Sequence, residues 1–244
     1  MTADKPDYGI DAPGIIRSLV LIGIALLVLG PFLPVVTVGP VTFMLRPTAI
    51  WTGSACLLEA LTMLLYSKVG KFRQRDRMLA RVKWRGNEQV LDVGTGRGLL
   101  LIGAAKKLTT GKAVGIDIWS KKDLSGNSLE KTLRNLEIEG VSGVTEVISG
   151  DATAMQFPDE SFDVVLSNLC IHNIPSREGR DRACREIVRV LKPGGTALVS
   201  DFMHTANYMK AFQAAGAKAS RGRAHFLHIF PSLRIVEVVK APTP

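Results

Sequence analysis

The sequence is poor in cysteine, with only Cys56, Cys170 and Cys184, and it has no CxxC pair and no Cys/His ligand cluster. Three scattered thiols give no disulfide framework and no structural zinc site. They fit a reduced compartment and read as packing residues, so no metal is expected. Internal repeats and low-complexity segments are also lacking. Acidic residues are few, 22 against 31 Lys and Arg, for a net charge of +9. The imbalance is local: residues 68–87 hold eight cations and only Asp76, a balance of +7 that leaves the remaining chain at about +2. A nucleic-acid binder spreads its basic residues over the folded surface, so nucleic acid is not an expected partner. A single basic block directly after an apolar run suits an anionic membrane surface.

Charge is nearly missing from two stretches. Residues 15–36 carry only Arg17 and residues 48–67 only Glu59. They account for most of the 46% hydrophobic content and for a mean hydropathy of +0.18. Each approaches the ~20 residues that cross a bilayer as a helix. Pro31 and Pro34 fall near the end of the first, and Val38-Gly39-Pro40 supplies a turn, so the pair reads as a transmembrane helical hairpin. A cleavable signal peptide fits poorly, because Asp4, Asp7 and Asp11 stand where cations belong and a second apolar segment follows. The basic block places the following domain in the cytoplasm, and two crossings place the N-terminus there too. The expected localisation is therefore a multi-pass membrane protein. Its expected division is a polar, loose tail (1–14) with the hairpin in 1–67, a basic juxtamembrane linker in 68–87, and a catalytic domain in 88–244. Glu59 lies at membrane depth with no second polar group at helical spacing, which favours a protonated or interface-facing acid over a functional one.

From Glu88 the pattern changes to alternating strands and helices. Apolar, β-branched runs at Gln89–Val93, 113–118, 144–148, 162–167 and 197–201 read as buried parallel strands. Helical patterns occupy 98–108, 128–139, 177–191 and 203–215. Such alternation predicts an open α/β sheet covered on both faces. Runs at 224–230 and 233–239 are separated only by Pro231-Ser232, which predicts a terminal antiparallel hairpin.

The strand at Gln89–Val93 runs into Asp92-Val93-Gly94-Thr95-Gly96-Arg97-Gly98. Its glycines let a ligand approach the backbone, and the helix that follows offers free N–H groups. A dinucleotide fingerprint needs a glycine where Leu99 stands. The acid Asp92 would repel a pyrophosphate and suits a ligand bearing an ammonium group. Asp117 ends the second strand, where a carboxylate can take both hydroxyls of a ribose. Asp151, in Ser149-Gly150-Asp151-Ala152, ends the third, where an acceptor can meet an adenine amino group or serve as a helix cap. Three acids at successive strand tips line one crevice.

This constellation resembles the class I S-adenosylmethionine (SAM)-dependent methyltransferases, over roughly residues 86–240. The resemblance implies a Rossmann-like seven-stranded sheet with its last strand antiparallel. It implies that Asp92, Gly94, Gly96 and Gly98 hold the methionine part of the cofactor, Asp117 the ribose and Asp151 the adenine. Residues 162–169 are similar to the family's fourth strand, and Arg189-Val190-Leu191-Lys192-Pro193-Gly194-Gly195-Thr196 to its turn before strand five. Asn168-Leu169-Cys170-Ile171-His172-Asn173-Ile174 is similar to a segment of quinone, sterol and other small-molecule or lipid methyltransferases, and differs from the N-P-P-Y type of base-methylating enzymes. It makes Asn168 a cofactor-side and catalytic candidate. His172 is the candidate base, unless it packs beneath the methionine moiety. Asp201 and His204 point to the same mouth, unless they cap the next helix, while Tyr208, His225 and His228 read as structural. Residues 119–127 form an extra loop that either covers the ribose or touches the membrane through Trp119. The implied acceptor is a membrane lipid or apolar small molecule. The alternatives are a soluble small molecule or protein, with the hairpin only for localisation, and a SAM-binding membrane protein without turnover.

Overall fold

The central strands of the sheet are buried on both sides because helices cover both faces there. The computed structural model describes residues 5–224 and 232–242. Two helices come first, α1 (Pro13–Leu29) and α2 (Leu45–Leu65), with a small ribbon between them, β1 (Val35–Val38) and β2 (Val41–Met44). The chain continues through α3 (Lys71–Leu79), β3 (Gln89–Val93), α4 (Leu99–Ala105), β4 (Lys112–Asp117), α5 (Leu129–Ile138), β5 (Thr145–Ser149) and β6 (Phe162–Asn168). It ends with α6 (Arg177–Val190), β7 (Leu191–Asp201), α7 (Thr205–Ala214), β8 (Ala217–Arg221) and β9 (Arg234–Lys240).

The sheet runs β5-β4-β3-β6-β7-β9-β8, parallel except for β9, which lies antiparallel to both neighbours. Strand order reverses between β3 and β6, and the crevice outside their carboxyl ends is where open α/β sheets bind ligands. Two apolar clusters fill the two faces. One packs Ile187 and Val190 of α6 and Phe212 of α7 against the sheet. The other packs Leu101 and Ile102 of α4 with Met78 of α3. Each such buried side chain contributes about 1.5–3 kcal/mol. Ser128 caps α5 by accepting from Lys131 N, and Ser176 caps α6 by accepting from Gly179 N.

Four expectations need correction. The helix expected over 15–36 ends at Leu29, with a 3-10 turn to Phe32; Pro31 and Pro34 stop it, and the chain turns back as β1–β2 around Gly39 at φ +57°. The terminal antiparallel pair exists, but the partner of β9 is Ala217–Arg221. Of the expected strand over 224–230, Ala224 is irregular and the rest lies outside the described residues. β8 is a short, polar edge strand, so no apolar run announces it. β7 begins at Leu191 rather than at 197, because the Pro-Gly-Gly turn is absorbed as an irregularity against β6. Finally, residues 5–12 are no loose tail. They form an ordered strap with Tyr8 buried, held by hydrogen bonds to four other segments.

The helices α1 and α2 pack along a seam of small residues. A Cβ on Gly53 would stand 2.9 Å from Gly23 O, and one on Gly30 2.9 Å from Ala49 Cβ. Their remaining apolar side chains, such as Leu21, Val28, Trp51 and Leu58, are exposed. Both helices are long and apolar enough to cross a membrane. α2 runs through one π-helical turn, Tyr66–Gly70, straight into α3. α3 lies on the domain face, where Gln74 donates to Ser200 Oγ of β7. Several cations of the basic block are engaged internally: Lys71 with Asp11, Arg81 with Glu237 and Arg85 with Glu88.

Candidate active site

The glycine turn leaves β3 at left-handed φ angles, +75° at Gly94, +54° at Gly96 and +82° at Gly98, which L side chains rarely adopt. A Cβ at Gly94 would also overlap Cys170 Sγ, only 2.3 Å away. Gly94 N and Thr95 N donate to Ile116 O, so β4 fixes the turn. Asp92 is 1% exposed and accepts from Thr95 Oγ1 at 2.9 Å. Burial pushes its carboxyl up to about 7, against the opposing hydrogen bond from Thr95. Cys170 is pushed above its ordinary value by burial and then by the nearby acids, so it stands as a thiol rather than a nucleophile.

Asp117 is buried and already accepts three hydrogen bonds: Gly96 N at 2.8 Å, Trp119 N at 2.6 Å and Asn127 Nδ2 at 3.1 Å. It therefore ties the glycine turn to residues 119–127, besides lining the cavity. That loop borders the cavity through Ser120, Asp123, Leu124 and Asn127, while Trp119 Nε1 donates to Ser149 Oγ at the tip of β5. Asp151 lines the same cavity and accepts from Thr153 N at 2.7 Å, a local turn cap.

The opposite wall comes from the chain after β6 and β7. His172 lines the cavity, and its Nδ1 lies 3.0 Å from Asp201 Oδ1. Asp201 is fully buried and also accepts from Phe202 N and Tyr208 Oη. It does not line the cavity, so it positions His172 rather than touching a reacting group. With Nδ1 facing a carboxylate, Nε2 is left as the basic nitrogen. Asn168 ends β6 on the cavity; its Nδ2 points to Tyr66 Oη at 3.5 Å, and its Oδ1 is buried with no partner among the described residues. His204 stands at the N-cap position of α7 at φ +57° without a side-chain capping hydrogen bond, and does not line the cavity. Tyr208 is fully buried, while His225 and His228 lie outside the described residues.

Several lining residues have no sequence signal. Tyr8, Asp11 and Ala12 of the strap, Ile15 of α1, Met63 of α2 and Tyr66 of the π-helical turn all border the cavity, about 1060 Å3 in volume. The strap is pinned by Lys71 Nζ, which donates to Tyr8 O and Gly9 O at 2.7 Å, and by Arg97 Nη1, 2.5 Å from the Asp7 carboxylate. Ile10 and Ser125 exchange hydrogen bonds, joining the strap to the 119–127 loop. Arg97 was visible only as a spacer in the glycine motif, yet it is 4% exposed, with Nε buried and unpartnered among the described residues.

These features fit SAM: a glycine cradle open to close approach, an ionisable carboxyl beside it for a cationic group, and buried donors and acceptors left unmatched. Comparison with known proteins agrees. Residues 91–199 match the methyltransferase domain family. The ubiquinone/menaquinone biosynthesis C-methyltransferase UbiE of Pseudomonas fluorescens is 35% identical over 124 residues, covering 50% of this chain and 45% of that protein. An uncharacterized protein of Haemophilus influenzae is 32% identical over 148 residues, covering 58% of this chain and 56% of its own. The chain thus spans about half the length of the curated relatives it matches. A SAM-dependent methyltransferase of Aquifex aeolicus superposes with a TM-score of 0.54 at 17% identity, over 70% of this chain and 97% of that one. The YcgJ protein of Bacillus subtilis superposes at 0.59 with 16% identity, over 70% and 99%. At such identities the likeness is one of fold.

Proposed function

We propose that the chain is a SAM-dependent, membrane-anchored enzyme methylating an apolar, lipid-like acceptor; residues 91–199 match the methyltransferase domain family. The observation that carries this is the extent of the cavity. One continuous space is bordered by Asp92 and Gly94 at one end, and by Ile15 of α1 and Met63 of α2 at the other. With α1 and α2 crossing the bilayer, their near ends stand at the membrane surface and the cavity opens between them. The acceptor then reaches the cofactor without leaving an apolar path. The volume lies just above the ~300–1,000 Å3 typical of a single ligand site, so it has room for two ligands. A ring acceptor of quinone type fits the reading, since the Pseudomonas fluorescens relative is named for that biosynthesis.

The sulfonium of SAM supplies an already activated methyl group, so the protein has to align the partners, exclude water and remove a proton. The strap and the 119–127 loop close the cofactor side against solvent. His172 Nε2 takes the acceptor's proton, and Asp201 fixes the tautomer and steadies the imidazolium that forms. Exposed Lys68, Arg73 and Lys83 face anionic headgroups, each contributing about 1 kcal/mol near the surface.

The test is to incubate membranes containing the protein with methyl-labelled SAM. Label in the lipid extract, abolished by His172→Ala, is the expected result. Label confined to the aqueous fraction would establish a soluble acceptor, and no transfer at all a SAM-binding protein without turnover.

A further inference from the structure

The hairpin reaches further into the site than an anchor needs to. Tyr66, directly after α2, is 3% exposed, and its ring packs on Leu233 and Leu169. Its hydroxyl lies 3.5 Å from Asn168 Nδ2, and both residues border the cavity. The contact uses the Asn168 amino group and leaves Asn168 Oδ1 as the buried acceptor without a partner. Leu169, next in sequence, has φ +54°, so the backbone turns sharply directly after Asn168. Neither the glycine motif nor the matched residues 91–199 include Tyr66.

We propose that Tyr66 is a positioning residue delivered by the membrane hairpin, which holds the Asn168 amide in one orientation at the cavity wall and so makes turnover depend on the seating of α2. The proposal rests on the methyltransferase reading above and adds a residue that the catalytic domain does not itself supply. Loss of the Tyr66 hydroxyl alone, with the strap in place, frees the amide to rotate. SAM binding, built from β3 and β4, is then left intact while transfer falls.

Tyr66→Phe keeps the ring packing and removes only the oxygen. In full-length protein in membranes with methyl-labelled SAM, we expect labelling of the lipid extract to fall about tenfold, with KM for SAM unchanged. In a cycle with Asn168→Ala, the double variant should be no slower than Asn168→Ala alone, because Tyr66 acts through that amide. Full activity of Tyr66→Phe, or simple additivity in the cycle, would overturn the proposal. A second readout does not depend on turnover. Exchange of the Asn168 side-chain amide protons, followed by NMR in detergent with 15N-asparagine, should quicken at least about tenfold in Tyr66→Phe; unchanged exchange overturns the positioning role. Wild-type protein that transfers no methyl group, yet shows the exchange effect, would reject the enzymatic reading and leave the Tyr66–Asn168 coupling standing.

Discussion

Asp92 carries the most informative titration in the molecule. Burial raises its carboxyl from the ordinary 3.8 to about 7, so the folded protein holds this proton where the unfolded chain has released it. The contribution is fully present below about pH 4, declines as pH rises towards 7 and is flat beyond. Asp92→Asn should remove that slope from stability measured by denaturant titration. Binding runs the other way, because a cationic ligand favours the ionised form. SAM affinity should therefore weaken by up to about tenfold per unit as pH falls below 7, and Asp92→Asn should be weaker but independent of pH in calorimetry between pH 5.5 and 8.5. This residue was legible in the sequence as the acid ahead of the glycine turn. Its neighbours were read less completely. Asp117 was assigned to a ribose from its strand-tip position, whereas its oxygens also hold Gly96, Trp119 and Asn127, contacts that only the folded loop creates.

At the scale of elements, periodicity located β3, β4, β6, α5 and α6 to within one residue of their ends, because each presents an apolar run or a stripe of buried positions; β5 was placed as closely, but the strand expected to be buried has no buried residue. β8 and the strap escaped for the same physical reason: their backbone hydrogen bonds are made with distant segments and leave no local hydrophobic period. The hairpin was legible as apolar length, but its seam was not. Gly23 and Gly53 bring α1 and α2 into contact that no side chain can enter. Gly53→Leu should lower the stability of the detergent-solubilised protein by about 1–3 kcal/mol through overpacking, read as a lower thermal midpoint. Wild-type behaviour would mean that the helices separate at no cost. The ribbon β1–β2 gives a topological probe. Gly39 is at left-handed φ, so a cysteine belongs instead at exposed Thr42. With Cys56 replaced by Ala, Thr42→Cys should react with an impermeant maleimide only from the side of the membrane opposite the catalytic domain.

At the scale of the whole molecule, the expected split into anchor, linker and catalytic domain does not follow the walls of the cavity. The strap precedes α1, Tyr66 follows α2, and both border the space that Gly94 and His172 also line. A truncation at residue 67 therefore removes Tyr8, Asp11 and Tyr66 from the site along with the hairpin. The π-helical turn at Tyr66–Gly70 gives this arrangement an angular setting. Because α2, the turn and α3 form one uninterrupted rod, and α3 is fixed to the domain through Gln74 and Met78, the compass bearing of the whole hairpin is set by how many residues the turn contains. An α-helix advances about 100° per residue, so inserting one alanine after exposed Val69, with the rest of the rod kept helical, would swing everything before it by about that angle. Helix content would be retained. The Tyr66 hydroxyl would leave the cavity, and the strap would be carried off Lys71 and Arg97. SAM binding and transfer should be lost together in this insertion, whereas Tyr66→Phe loses transfer alone.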